Sequence, residues 1–204
     1  MKNMKIVLEV LAAGTLLYGC KSSDTSTFQP AQSSIFVARD GGISSALVEK
    51  YDKDYYSESE LKAEIEKAVA EYNAEKGADL TSLKSCTMKD GKASAVFTYV
   101  SGDAMVDFAE TTGDHSMALT SFSTSTVTDL VNQGTISDAA IVDINGKAVS
   151  ADTLGKETSL HAITMDGSGT VQTQGKIVYM SEGCTLKDSF TVVVPEGNHY
   201  IVFK

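Results

Sequence analysis

Tryptophan is absent from these 204 residues, proline occurs twice and arginine once, as Arg39. Arginine is the usual fork for phosphate and base edges. One arginine in a chain of net charge −10, with no basic stripe, argues against nucleic-acid binding. Cysteine occurs at 20, 86 and 184, with no Cys-x-x-Cys pair, so a metal or redox motif is not indicated. His115, His161 and His199 are isolated, and zinc sites are often seen as close histidine pairs. A Gly-x-Ser-x-Gly elbow is missing too. No segment after the first 19 residues is long and apolar enough to span a bilayer. No metal or cofactor is expected.

What is present begins at the start of the chain. Lys2 and Lys5 form a positive head, an apolar run extends from Ile6 to Leu17, and Tyr18, Gly19 and Cys20 follow. A charged head, a short apolar segment and a small residue before the break are the parts of an export signal. The run is too short for a permanent membrane helix, and Glu9 lies within it. Residues 1–19 are therefore read as a removed signal. That leaves 185 residues with 15 basic and 26 acidic side chains, a net charge of −11. This length suits a single hydrophobic core. Residues 20–33 are rich in serine, threonine and glutamine, and read as a flexible tether ahead of a folded unit over 34–204.

Leu17-Tyr18-Gly19-Cys20 resembles the lipobox of bacterial lipoproteins, with Leu17, Gly19 and Cys20 in register and Tyr18 bulkier than usual. The alternative is an ordinary signal peptide that contains Cys20. Together with "VEKYDKDYYSESELKAEIEKAVAEYN" and the closing "GKIVYMSEG" and "YIVFK", the chain resembles small lipoproteins of uncharacterised function from Gram-positive, clostridia-like bacteria. The resemblance implies export, diacylglyceryl (palmitate-type) modification of Cys20 and an outward-facing membrane anchor. It brings no catalytic residues with it. Two acyl chains give stable anchoring where one is marginal.

Within 34–204, Asp40-Gly41-Gly42, Asp90-Gly91 and Asn145-Gly146 mark hairpin turns. Strands are expected near 34–39 and 42–48, and on both sides of Asp90-Gly91. One long helix is expected from Ser57 to Gly77. Ser57 and Glu60 form a capping box, Tyr56 and Leu61 a staple, and Leu61, Ile65, Val69 and Tyr72 a buried stripe. Short helices are expected near 102–110 and 124–132. Alternating runs around 158–165, 170–181, 188–194 and 198–203 predict a β-rich C-terminal third. Asp166-Gly-Ser-Gly169 reads as a hairpin turn. The fold class is α+β, with antiparallel hairpins packed on one main amphipathic helix, as one unit or as two lobes hinged near 111–135, a segment that reads as a linker, an edge element or a binding loop.

Cys86 and Cys184 are left as a candidate disulfide or as two separate thiols. Tyr51 and Tyr55 are candidate partner contacts, against the alternative that the tyrosines pack in the core. Asp52 and Asp54 do not continue into an EF-hand loop, because Ser57 and Ala63 occupy the glycine and terminal acid places. The reading is a lipid-anchored extracytoplasmic surface protein, leaning toward a non-enzymatic binding module. The alternatives are a cell-envelope hydrolase using acids such as Asp103 or Asp107, and a substrate-capture lipoprotein for a transporter.

Overall fold

The computed structural model describes residues 26–51, 57–114, 116–136 and 140–204. The elements in chain order are β1 (Ser34–Val37), β2 (Ile43–Lys50), α1 (Glu58–Lys76), β3 (Thr81–Lys89), β4 (Lys92–Tyr99), α2 (Gly102–Thr112), β5 (Leu119–Thr126) and α3 (Val127–Asn132). They continue as β6 (Ile141–Asp143), α4 (Ala151–Leu154), β7 (His161–Gly167), β8 (Gly169–Thr173), β9 (Ile177–Ser181), β10 (Thr185–Leu186), β11 (Thr191–Val194) and β12 (Asn198–Phe203).

The strands form two sheets. The larger has the order β10-β11-β8-β1-β2-β4-β3, the smaller β5-β7-β12-β9-β6. All pairings are antiparallel except β1 with β8, which run parallel. The expected hairpins at 90–91 and around Asp40–Gly42 form, and β4 is an inner strand. Among the described residues four helices accompany the sheets, so the architecture is a strand-rich mixture of helix and sheet rather than hairpins on one main helix.

Alternation along the strands explains how the smaller sheet is buried on both faces. Ile163 and Met165 of β7, with Ile201 and Phe203 of β12, join Ile35, Val37, Val171 and Val192 in the core between the sheets. The intervening Ala162 and Val202 face the other way, onto Val127, Leu130, Ile141 and Leu154, where α3 and α4 cover them. The same inner face of the larger sheet continues past Tyr99 to Ala95 and Phe97, where α1 and α2 lie on it.

The α1 helix starts and stops where expected. Ser57 Oγ accepts from Glu60 N at 3.4 Å, and Gly77 closes the helix at φ 68°. Its contact stripe is narrower than the spacing predicts. Val69 and Tyr72 are buried, while Leu61 and Ile65 are half-buried. The helix packs over β3 and β4 at one side of the sheet, where Ile65, Val69 and Tyr72 reach the core. Tyr56, the predicted staple, lies outside the described residues.

Two further expectations are corrected and one is narrowed. Asp166–Gly169 is not a hairpin turn but a crossing, since β7 belongs to the smaller sheet and β8 to the larger. Of the open readings of 111–135, the edge element is the one that forms. The segment holds β5, an edge strand paired along β7, and α3, which covers the outer core. The tether reading also fails for its described part. Ser26 N donates to Gln174 O at 2.8 Å, Ser26 Oγ donates to Thr173 O at 2.7 Å, and Phe28 stacks on Phe36 at 5.2 Å. Gln32 Nε2 reaches Thr170 Oγ1, and Ser33 Oγ accepts from Val48 N. Residues 26–33 are thus a strap fastened to β1, β2 and β8. Its polarity does not leave it loose, because its serines and glutamines find partners there.

Candidate functional site

The residues singled out by sequence do not converge. Cys20, Tyr55, Asp52, Asp54 and His115 lie outside the described residues. Tyr51 is half-buried at the end of β2, and its N–H donates to Gly91 O. Among the described residues, no three His, Cys, Asp or Glu side chains are grouped to hold a metal. No helix described is long and apolar enough to cross a membrane.

Cys86 and Cys184 are both free thiols. Of the two readings left open, separate thiols is the one the fold contains. Cys86 is on β3, at one edge of the larger sheet, and Cys184 immediately precedes β10 at the other edge. Six strand spacings separate those edges, about 30 Å by ordinary sheet geometry, whereas bridged cysteines need Cα atoms within about 7 Å.

Cys184 does have a partner. Its Sγ is 3.7 Å from His199 Nδ1, and His199 Nε2 is 3.3 Å from Glu196 O. A carbonyl can only accept, so Nε2 carries the proton and Nδ1 accepts from the thiol. Burial pushes the Cys184 thiol up to about 11. Burial thus favours the protonated thiol, which donates to His199 Nδ1. His161 is elsewhere, stacked on the Phe203 ring at 5.2 Å.

Asp103 is exposed in the first turn of α2. Asp107, one turn further on, is fully engaged. Its Oδ2 accepts from Tyr72 OH at 2.8 Å and from Lys76 Nζ at 2.7 Å. The hydrogen bond from Lys76, then that from Tyr72, lowers the Asp107 pKa below the ordinary aspartate value. Burial and the Asp107 hydrogen bond raise Tyr72 to about 12. The cluster is an ionic joint between α1 and α2, with the Glu75 and Glu110 carboxylates near enough to act on Lys76.

The most distinctive concave surface lies at the end of the smaller sheet. A cleft of about 640 Å³ brings Glu110 and Asp114 of the α2 region together with Asp166 and Glu196, and none of its described lining residues is basic. Val106, Met117 and Leu119 supply an apolar floor that continues into the main core. Close backbone approach builds this end. Gly167 sits at φ 131°, and a Cβ there would lie 1.9 Å from Ala118 O. That approach lets Ser168 N reach Ala118 O and Gly167 N reach Gly197 O. Sequence reasoning missed the cleft because its four acids come from three separated segments. The glycines of Asp166–Gly169 and Pro195–Gly197 were its only trace.

Comparisons with protein-family models, with curated proteins and with solved structures gave no match. The class is set by the fold alone, two sheets packed face to face with helices on the flanks.

Proposed function

We propose that this chain is a lipid-anchored extracytoplasmic surface protein, acting as a non-enzymatic binding module held at the membrane through Cys20. The observation that carries the reading is Leu17-Tyr18-Gly19-Cys20 followed, six residues on, by a segment fastened to the sheet. Six residues of chain reach at most about 20 Å, so the lipid would hold the domain close to the bilayer. One feature supports binding over catalysis: Asp107 is committed to Lys76 and Tyr72.

The experiment is fractionation of producing cells with salt-washed membranes and labelled palmitate. The parent chain should carry label and sediment with membranes. Cys20→Ala should lose the label and leave the washed membranes, or accumulate with its leader uncleaved. A Cys20→Ala chain that remains cleaved and membrane-bound after the wash would overturn the anchor. The binding part is checked by cross-linking on intact cells with the parent chain. Recovery of nothing above background would count against it.

A further inference from the structure

The end of the molecule opposite the acidic cleft has the reverse character. β12 runs from Asn198, beside Glu196 and Gly197 of the cleft, to Phe203 and Lys204 at the other end. Six strand residues span about 20 Å. At that far end Lys204 N donates to Lys176 O, and a groove of about 450 Å³ is lined by Lys176, Lys187, Lys204 and a single acid, Asp188. Asp188 is exposed at the groove, its Oδ1 accepting from Phe190 N at 2.7 Å. Ile144 lies in the same groove and is 54% exposed, although most large apolar side chains of the described residues are covered.

The strap ends here too. Ser26 is hydrogen-bonded to Gln174, two residues before Lys176, and Lys187 Nζ donates to Gln32 Oε1 at 3.0 Å. The chain therefore leaves the described domain, heading toward Cys20, at its basic end. In a protein of net charge −11 after the leader, three lysines around an exposed isoleucine at the tether's exit point to a specific neighbour. Lysines attract anionic headgroups within a Debye length, and an apolar side chain can enter the headgroup layer.

We infer that the face formed by Lys176, Lys187, Lys204 and Ile144 rests on an anionic phospholipid surface and so orients the domain, with the acidic cleft turned away from the bilayer. The inference deepens the anchored reading, since the lipid on Cys20 supplies proximity and the lysine face supplies orientation. The overall negative charge opposes random approach to an anionic surface, which leaves the basic end as the favoured contact.

The test uses residues 20–204 with Cys20→Ser, so it is blind to lipidation. The three cores of the described structure draw only on residues between Ile35 and Phe203, so this chain retains all of them. Flotation with phosphatidylcholine vesicles, with and without phosphatidylglycerol, is the readout at low and high salt. Binding should require phosphatidylglycerol and weaken with salt. Each lysine should contribute roughly fivefold at low ionic strength. Lys176→Glu, Lys187→Glu and Lys204→Glu together should abolish it, and Ile144→Ser should weaken it. A control with Lys62→Glu, Lys67→Glu and Lys84→Glu changes the net charge equally on α1 and β3 and should still bind. Circular dichroism checks that each variant is folded. Absence of phosphatidylglycerol-dependent binding, or equal loss in the control, would overturn the inference. Neither result bears on the Cys20→Ala fractionation, so the two readings fail separately.

Discussion

Tyr72 ties the two larger helices to each other. Its ring meets Phe108 edge-on at 5.1 Å, and its hydroxyl donates to Asp107 Oδ2 and lies 3.3 Å from Ala104 O. Tyr72→Phe keeps the ring and removes the hydroxyl, and should cost about 1.5–3 kcal/mol, the range for a hydrogen bond to a charged group. The pH dependence has two arms. Asp107 has a lowered pKa in the fold, so its contribution is present above the ordinary aspartate value and is lost as pH falls below about 4. Tyr72 is raised from 10.0 to about 12, so its contribution is complete below pH 10 and is lost as pH rises through about 12. Urea midpoints across pH should show both declines in the parent, and Tyr72→Phe should flatten the alkaline one. An unchanged alkaline slope in the variant would show that other groups dominate, Tyr99 being the next, because burial raises it as well. Residue-scale chemistry of this kind was half legible in the sequence. Tyr72 stood out as part of the helical stripe, but Asp107 was read as a free acid, because a contact between two helices leaves no spacing in the chain.

Elements with strong local signals were the readable ones. Ser57 and Gly77 bracket α1 within a residue of where the capping signals put it, and the Asp90-Gly91 turn joins two strands in register. Elements held by distant partners were not readable. β5 is polar along most of its length, and only Phe122 is fully buried. Its pairing with β7 makes it a strand, and no alternation announces that. The strap over 26–33 was misread for the same reason, since its composition matches a linker and only its partners distinguish it. Phe28 carries the apolar part of that docking through its stack on Phe36. Phe28→Ala should lower stability by about 1–2 kcal/mol, combining lost burial of a half-exposed ring with the aromatic pair. Denaturant titration measures it. A change near zero would mean that the strap rides loosely on the sheet and that the tether begins at Ser34 after all.

The connections after residue 160 decide how the whole molecule behaves. β7 is in the smaller sheet, β8 in the larger, β9 in the smaller, β10 and β11 in the larger, and β12 in the smaller again. A chain that passes back and forth in this way cannot lose one sheet and keep the other, because β8, and the β10–β11 pair, are each flanked in the chain by strands of the smaller sheet. β12 is the centre of the smaller sheet, and Ile201 and Phe203 enter the shared core. The sequence reading allowed two lobes with a hinge near 111–135, a reasonable inference when hairpins are counted one by one. Alternation between sheets is invisible at that level, since each crossing looks like a turn. Native-state hydrogen exchange separates the two descriptions. Amides of β1 and β8 in the larger sheet and of β7 and β12 in the smaller should open with one common free energy, the global one for a two-state domain. Gly167→Ala should lower all four together, by about 3 kcal/mol or more, because its Cβ would collide with Ala118 O at a crossing between the sheets. If β7 and β12 lost protection in that variant while β1 and β8 kept theirs, the sheets would be independent lobes, and the single interleaved core described here would not be what holds the molecule together.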